Sequence, residues 1–331
     1  MKRVAINGFG RIGRAFFRIA WGNPDIEVVA INDPFLPAES ARYLLRYDSV
    51  YGRFDHDVKV GDGTLSVDGK AVALLSEKEP NKLPWGEMNV DVVIESTGVF
   101  LSREKADLHL QAGAKRVLLS APAKGEGILQ VVYGVNEDAI TDEMKIVSAA
   151  SCTTNSFVPV MYILEKEIGV EHALLTTVHG YTGDQRLVDA PHSKLTRSRA
   201  AAINIIPTTT GAAKATTTIL PSLKGKMDGI ALRVPVPTGS ISDITVEMSR
   251  EATAEEINAL FRKYADGELK GILGITDDPI VSTDIIADDR PSIVDVTGTR
   301  VVDGRFLKIM AFYDNEWGYS NQLVRLVARC L

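Results

Sequence analysis

The sequence predicts an α/β fold in two parts, a doubly wound parallel sheet followed by an α+β part with a mostly antiparallel sheet. The chain has 331 residues, which is too long for one ordinary core and suits two domains. Up to residue 150, short apolar runs alternate with stretches of helical spacing. Beyond residue 150 the apolar runs are longer and partly alternate with polar residues, which is typical of antiparallel strands.

In the first part, five apolar runs predict buried strands at 4–6, 28–31, 90–94, 116–119 and 146–148. A helix is predicted at 11–21, because Ile12, Ala15, Phe16 and Ile19 fall on one side at helical spacing. Such alternation of strands and helices implies a mostly parallel sheet covered on both faces.

In the second part, strands are predicted at 173–178, 230–236, 241–248 and 306–313. A helix is predicted at 254–265, where Thr253 and Glu256 have the spacing of a capping box, and a terminal helix at 319–328. The change of pattern alone places the boundary near residue 150.

Composition excludes several classes of protein. The formal net charge of −6 argues against general affinity for nucleic acid, whose phosphates an acidic surface repels. Two cysteines, Cys152 and Cys330, cannot form a disulfide framework, so a reducing compartment is expected. No run approaches the roughly 18 apolar residues of a membrane helix, and the first apolar run is too short for a signal peptide. We therefore expect a cytoplasmic protein without a membrane partner or a metal site.

A dinucleotide-binding fingerprint occupies residues 8–13. Gly8, Gly10 and Gly13 form G-x-G-x-x-G between the first strand and the first helix, and Asp33 ends the next strand about twenty residues on. The helix N-terminus offers free N–H groups to a pyrophosphate. The carboxylate of Asp33 can accept from a ribose 2′-hydroxyl and would repel a 2′-phosphate, which favours NAD over NADP. The alternative is a glycine-rich turn with Asp33 in solvent.

Cys152 is the candidate nucleophile. It follows the 146–148 strand and begins a helix, so the helix dipole and free N–H groups would stabilise its thiolate. The alternative is a buried structural cysteine, but the neighbours Ser151, Thr153 and Asn155 are polar and suit a helix start.

His179 is the candidate base among five histidines, because it ends an apolar strand and precedes Gly180. A packing histidine is the alternative for this position. His56 is interpreted as a solvated loop residue, His109 as part of a polar helical stretch, and His172 as a surface residue.

Four segments, 6–14, 151–155, 201–214 and 313–320, carry a resemblance that extends over the whole chain. In them the chain resembles phosphorylating glyceraldehyde-3-phosphate dehydrogenase. The resemblance implies a Rossmann-type NAD-binding domain at 1–150, completed by helix 316–331, and a catalytic and tetramerisation domain at 151–315. It implies reversible, glycolytic or gluconeogenic conversion of D-glyceraldehyde 3-phosphate, NAD and inorganic phosphate to 1,3-bisphosphoglycerate. Cys152 would form a hemithioacetal and then a thioester, with His179 as base, in a homotetramer.

The same resemblance implies the residues that bind the ligands. Those for NAD are Asn7, Gly8, Phe9, Gly10, Arg11, Ile12, Gly13, Asp33, Ser120 and Asn315. Those for the substrate phosphate are Thr182, Arg197 and Arg233. Those for the attacking inorganic phosphate are Ser151, Thr153, Thr210 and Gly211. Residues 181–206 would run between subunits. From the sequence pattern alone, the two arginines could equally form surface or interface ion pairs, and Asn315 could be a turn residue.

Three positions depart from the family pattern. Ser156 stands where many members have a second cysteine, and Gly180 and Gly183 replace larger residues, which predicts a looser loop. Cys330 has no assignable role.

One alternative function is that of erythrose-4-phosphate dehydrogenase, which hydrolyses the thioester, but segment 208–214 resembles the phosphate-using enzyme. The other is a non-catalytic NAD-binding regulator on the same scaffold, in which Cys152 or His179 would be expected to be lost.

Overall fold

The computed structural model describes residues Met1–Leu331 and divides into two compact units. The first unit comprises Met1–Ala150 together with Ser320–Leu331, and the second comprises Ser151–Tyr319. None of the helices has both the length and the apolar composition that crossing a membrane requires.

The first unit is built on a nine-stranded sheet. Its elements in chain order are β1 (Lys2–Asn7), α1 (Arg11–Ala20), β2 (Ile26–Asn32), α2 (Ala38–Arg46), β3 (Tyr47–Asp48), β4 (Gly52–Arg53), β5 (Val58–Gly61), β6 (Thr64–Val67), β7 (Lys70–Leu75), β8 (Val92–Glu95), α3 (Arg103–Gln111), β9 (Arg116–Leu119), β10 (Leu129–Gln130) and β11 (Ile146–Ser148). The sheet order is β10-β11-β9-β8-β1-β2-β7-β6-β5, while β3 and β4 form a separate ribbon.

The strand order confirms the predicted Rossmann-type, doubly wound sheet. Strands β10 to β7 run parallel, and the chain proceeds from β1 outward to β2 on one side before it returns to β8 on the other. Val4, Ala5 and Ile6 in β1 are fully buried, as parallel strands covered on both faces require. The antiparallel strands β5 and β6 at one edge were missed by the sequence analysis.

The second unit contains a seven-stranded sheet. Its elements are α4 (Cys152–Glu167), β12 (Val170–Gly180), β13 (Ile206–Thr209), α5 (Ala212–Ile219), β14 (Met227–Val234), β15 (Ser240–Met248), α6 (Ala254–Asp266), β16 (Leu273–Thr276), β17 (Ser292–Val302) and β18 (Phe306–Tyr313). The order is β13-β14-β12-β15-β18-β17-β16. The last helix of the chain, α7 (Trp317–Cys330), belongs to the first unit from Ser320 onward.

Four of the six strand pairs in this second sheet are antiparallel, which confirms the mostly antiparallel α+β prediction. The predicted strands 173–178 and 230–236 correspond to β12 and β14, which run parallel to each other, not antiparallel. Their register sets His179 opposite Arg233. The helix cap at Thr253 is confirmed, because its hydroxyl accepts from the Glu256 amide at 3.2 Å.

Candidate active site

The start of α4 holds Cys152. Ser151 is the N-cap, and its hydroxyl accepts a hydrogen bond from the Thr154 amide at 3.1 Å. Cys152 is therefore the first helical residue, where the helix dipole favours a negative charge. Its side chain is half-buried and forms no disulfide. This placement agrees with the sequence interpretation of Cys152 as a residue at a helix start.

His179 lies near the end of β12 and directs one ring nitrogen at this cysteine. Cys152 Sγ and His179 Nε2 are 3.4 Å apart. The other nitrogen, Nδ1, is 2.6 Å from the carbonyl oxygen of Gly180. Since a carbonyl can only accept, the ring proton is on Nδ1, and the lone pair of Nε2 faces the sulfur. The neutral imidazole is thus oriented to receive the thiol proton.

The electrostatic surroundings keep this imidazole neutral. Burial, helped by the positive charge of Arg233, lowers the pKa of His179 to about 3. Burial raises the pKa of the Cys152 thiol, whereas Arg233 and hydrogen bonds from Thr153 act in the opposite direction. Proton transfer from Sγ to Nε2 places a negative charge near a guanidinium and a helix N-terminus, which both stabilise it.

Arg233 connects this pair to a cluster of anion-binding groups. Its Nη1 donates to the Gly180 carbonyl at 3.2 Å and to the Thr182 hydroxyl at 2.9 Å. Its Nε is buried and has no hydrogen-bond partner in the protein. Burial and the charge of Arg197 lower the pKa of Arg233 from its ordinary value. The Arg233 guanidinium therefore adds a buried positive charge to the cluster, and such a charge favours an anion beside it.

Arg197 reaches the same cluster through Asp184, a residue that the sequence analysis missed. Arg197 Nη1 lies 2.5 Å from Asp184 Oδ2, and the Thr182 hydroxyl donates to the other carboxylate oxygen. Although burial acts to raise it, the hydrogen bonds from Thr182 and Arg197 hold the pKa of Asp184 below its ordinary value. An acidic residue two positions after Thr182 was the available signal, but spacing alone did not distinguish it from a surface acid.

Thr153 belongs to a buried chain of hydroxyls behind the nucleophile. Its Oγ1 is 2.9 Å from Tyr313 Oη, which in turn is 2.7 Å from Thr177 Oγ1. The Tyr313 ring meets the His179 ring edge-on, at 6.0 Å between centroids. In the sequence, Tyr313 is recognisable only as the last residue of a predicted strand and the first of segment 313–320. Nothing in the pattern shows what its hydroxyl contacts.

Thr210 and Gly211 lie in the loop between β13 and α5. Thr210 Oγ1 accepts from the Ala212 amide at 3.2 Å, and Gly211 is the N-cap of α5. A side chain added at Gly211 would meet no atom within 4 Å. The structure shows no hydrogen bond from either residue to Cys152 or His179.

In the first unit, the glycines of the fingerprint have three different physical roles. Gly8 has a φ of +94°, and a Cβ there would lie 2.7 Å from the Thr97 amide nitrogen. A Cβ on Gly13 would lie 2.2 Å from the Gly8 carbonyl oxygen. A Cβ on Gly10 would meet nothing within 4 Å, and no side chain caps the N-terminus of α1. The exposed backbone at Gly10 therefore fits a pyrophosphate.

The other residues expected at the dinucleotide site are held by contacts within the first unit. Asp33 accepts from the Phe9 amide at 3.0 Å, which ties the end of β2 to the glycine loop. Arg11 pairs with Asp48. The Ser120 amide donates to the Glu95 carbonyl at 3.0 Å, and Ile12 lies half-buried in the first turn of α1.

Two asparagines expected to contact NAD are buried, one in each unit. The Asn7 amide donates to Glu95 Oε2 at 2.6 Å and accepts from Asn32 at 2.7 Å. Asn315 Oδ1 accepts from the Gly239 amide and the Ser240 hydroxyl, both at 3.0 Å. No group of three or more His, Cys, Asp or Glu side chains is placed to hold a metal ion.

Comparison with known proteins shows which family the chain resembles. Residues 2–103 match the model of the glyceraldehyde 3-phosphate dehydrogenase NAD-binding domain, and residues 151–315 match that of its C-terminal domain. The chain is 55% identical to a glyceraldehyde-3-phosphate dehydrogenase of Thermotoga maritima and 53% identical to glyceraldehyde-3-phosphate dehydrogenase 2 of Streptomyces avermitilis. Each alignment covers 98% of this chain and 97% of the relative. A glyceraldehyde-3-phosphate dehydrogenase of Geobacillus stearothermophilus is 50% identical over the same shares.

The chain belongs to the glyceraldehyde-3-phosphate dehydrogenase family. It is an NAD-dependent oxidoreductase. Within this family the substitution by Ser156 is accommodated locally, because its hydroxyl lies 3.3 Å from that of Ser242 in a buried position. Cys330 is half-buried near the end of the chain, and burial raises its pKa to about 11.

One prediction about a single residue in this chain is wrong. Gly180 does not loosen a loop: it ends β12, and a Cβ there would lie 3.0 Å from the Val236 carbonyl oxygen. His109 lies on the polar helix α3 as expected, and its side chain is fully buried against Trp85 and Glu95, which the sequence pattern did not indicate. His56 and His172 each form an exposed pair with a carboxylate.

Proposed function

We propose that the protein catalyses the reversible oxidative phosphorylation of D-glyceraldehyde 3-phosphate with NAD and inorganic phosphate. The product is 1,3-bisphosphoglycerate. The observation that carries the proposal is the 3.4 Å contact between Cys152 Sγ and the unprotonated Nε2 of His179, beside the unused Nε of Arg233. A nucleophile, a base and an anion site together suit a phosphorylated aldehyde.

In the first half of the reaction, Cys152 Sγ attacks the aldehyde carbon. His179 takes the thiol proton and returns it to the carbonyl oxygen, which gives a hemithioacetal. His179 then takes the hydroxyl proton while the carbon loses its hydride, and a thioester on Cys152 results. NAD, when bound, supplies the acceptor of that hydride. The thioester retains the free energy of the oxidation in a reactive acyl group.

In the second half, inorganic phosphate attacks the thioester carbon, and Cys152 leaves as a thiolate. The acyl group thereby becomes an acyl phosphate. We propose that hydroxyl and backbone donors hold the attacking phosphate, namely Ser151, Thr153, Thr210 and Gly211. The departing thiolate is stabilised by the N-terminus of α4 and by Arg233.

The substrate phosphate is proposed to bind at Arg233, Thr182 and Arg197. Arg233 contributes a buried positive charge, and Thr182 lies within hydrogen-bond distance of this guanidinium. Arg197 adds a second positive charge to the cluster. A dianion favours such a site, because charge-assisted hydrogen bonds to arginine are strong and directional.

NAD is proposed to bind on the glycine loop of the first unit. The open backbone at Gly10 and the uncapped start of α1 would receive its pyrophosphate. Asp33 would accept from a ribose hydroxyl. Its second carboxylate oxygen, which binds the Phe35 amide at 3.1 Å, fixes the orientation of the group.

We further propose a homotetramer in the cytoplasm. Support for self-association comes from segment 181–206, whose exposed apolar side chains are Leu187, Val188, Leu195, Ile203 and Ile205. The cytoplasmic location is proposed because the 331 residues include only two cysteines, too few for the disulfide framework of a secreted protein. Sedimentation velocity of the purified chain tests the tetramer, and a monomer at micromolar concentration contradicts it.

The decisive experiment follows NADH absorbance with glyceraldehyde 3-phosphate and NAD, with and without inorganic phosphate. We expect phosphate-dependent NADH formation that Cys152→Ser abolishes. Turnover that ignores phosphate would assign the chain to a thioester-hydrolysing dehydrogenase. A folded protein that binds NAD but reduces none of it would indicate a non-catalytic role.

A further inference from the structure

A buried row of polar side chains crosses the carboxyl edge of the first sheet. Glu95 ends β8, Asn7 ends β1 and Asn32 ends β2, and the strand register places Asn7 opposite both of the others. Each of the three is at most 2% exposed. The strands β1 and β8 are where the chain reverses direction across the sheet, which is where open α/β sheets bind ligands.

The carboxylate of Glu95 is the centre of this row. Its Oε2 accepts from Asn7 Nδ2 at 2.6 Å and lies 3.1 Å from His109 Nε2. Its Oε1 accepts from the Thr97 amide at 2.9 Å and also from the Thr97 hydroxyl. Four donors fill the acceptor positions of an ionised carboxylate, which a buried charge requires.

His109 is fixed as one of these donors by Trp85. The indole Nε1 lies 3.1 Å from His109 Nδ1, and an indole nitrogen can only donate. The Nδ1 atom must therefore accept, so the ring proton is on Nε2 and is directed at Glu95. Both nitrogens of this neutral imidazole are satisfied inside the protein.

The row ties together the two loops that follow β1 and β8. Glu95 holds Asn7, which precedes the glycine loop, and Thr97, which lies in the next loop. Ser96 links the same loops, because its hydroxyl donates to the Gly8 carbonyl at 2.7 Å. The close approach of Gly8 to Thr97 leaves no room for a Cβ, so a small shift of either loop would disturb this contact.

We propose that Glu95, oriented by His109, is a positioning residue that holds both loops of the dinucleotide site in the conformation that binds NAD. Asn7 acts in the same row through its buried amide and not through a free side chain. The inference rests on NAD binding to the first unit and does not require turnover.

The test is calorimetric titration of the full-length protein with NAD. His109→Leu removes the donor to Glu95, and we expect the NAD Kd to rise about tenfold, the effect of one lost hydrogen bond to a charged group. His109→Gln offers an amide nitrogen near the position of Nε2, and we expect it to restore the Kd to within about twofold of wild type. Asp68→Asn is the matched control, since Asp68 forms an exposed pair with His56 at 2.6 Å in the same unit.

Two further measurements separate positioning from general destabilisation. The rate of alkylation of Cys152 by iodoacetamide without NAD should be the same in His109→Leu as in wild type. The kcat at saturating NAD should also stay unchanged, while the KM for NAD rises with the Kd. The proposal would be overturned if His109→Leu had the same Kd for NAD as wild type. It would also be overturned if His109→Gln bound NAD as weakly as His109→Leu. Because the binding assay needs no catalysis, failure of the proposed reaction would not affect it.

Discussion

The two units each contain one fully enclosed histidine, and the two histidines carry their ring protons on opposite nitrogens. In the second unit, His179 has its proton on Nδ1, held by the Gly180 carbonyl, and its Nε2 lone pair faces a thiol. In the first unit, His109 has its proton on Nε2, and Trp85 occupies the other nitrogen. Burial is common to both, so the lone pair directed at a thiol is what distinguishes His179, the proposed base, from His109.

The same contrast separates the two networks around these rings. Glu95 accepts from groups that remain in the protein, so its network has no position left for a ligand. Around Cys152, by contrast, the Nε of Arg233 has no partner. A buried polar network whose groups are all paired stabilises one conformation, whereas an unpaired buried donor leaves the second network incomplete.

Substitution of the two histidines, His179 and His109, should change kcat and NAD affinity in opposite ways. His179→Asn removes the base, and we expect kcat to fall by about 10²–10⁴-fold while the NAD Kd stays unchanged. His109→Leu should give the reverse pattern, a weaker NAD complex with nearly normal kcat. Steady-state kinetics and calorimetry on both variants measure this. A loss of NAD affinity in His179→Asn would break the distinction between the two sites.

Arg233→Gln should have the next largest effect, because it removes one charge from the second network. We expect the KM for the phosphorylated aldehyde to rise about 10–100-fold, the range for a lost charge-assisted hydrogen bond. A positive charge favours the thiolate, so its loss raises the pKa of Cys152. Alkylation by iodoacetamide below that pKa should then slow about tenfold for each unit of pKa increase. Arg233→Lys keeps the charge, and alkylation as slow as in Arg233→Gln would contradict the electrostatic cause.

Two glycines of the first unit are expected to affect stability and NAD binding differently. Gly13→Ala places a Cβ 2.2 Å from the Gly8 carbonyl, and we expect the free energy of unfolding to fall by about 1–3 kcal/mol. Gly10→Ala meets no atom, so its stability should stay within about 0.5 kcal/mol of wild type while NAD binding weakens. Denaturant unfolding and calorimetry separate the two outcomes. Equal NAD affinity in wild type and Gly10→Ala would remove Gly10 from the ligand surface.

In the second unit, Gly180 is expected to have only a small effect on catalysis. A Cβ there would lie 3.0–3.3 Å from backbone atoms of Val236 and Thr238, which must move by a few tenths of an ångström. We expect Gly180→Ala to lower the free energy of unfolding by about 1 kcal/mol and to leave kcat nearly unchanged. A large loss of kcat instead would show that the Gly180 carbonyl, which orients His179, is displaced by the substitution.

The sequence alone determined the fold class, the glycine loop and Cys152 as a residue at a helix start. Each of these features follows from residues that are close together in the chain. The spacing of apolar residues predicts the sheet, the glycine spacing before a helix predicts the loop, and the polar capping residues around Cys152 predict the helix start. The resemblance in four segments also identified the family, which the comparisons with known proteins confirm. These features depend on neighbours in the chain, so the linear pattern contains them.

The contacts between residues that are distant in the chain follow from the tertiary structure and not from the linear pattern. His109 looks like a polar helical residue in the sequence, yet strand order buries it against Glu95, 14 residues away in the chain. Asp184 and Tyr313 join the active-site network through contacts that no spacing predicts. The sequence predicts a flexible position at Gly180, but the structure shows that its backbone packs closely against Val236. The protonation state and the packing of a side chain depend on which groups are its neighbours in space. For these residues, strand pairing and the folding of distant segments determine those neighbours.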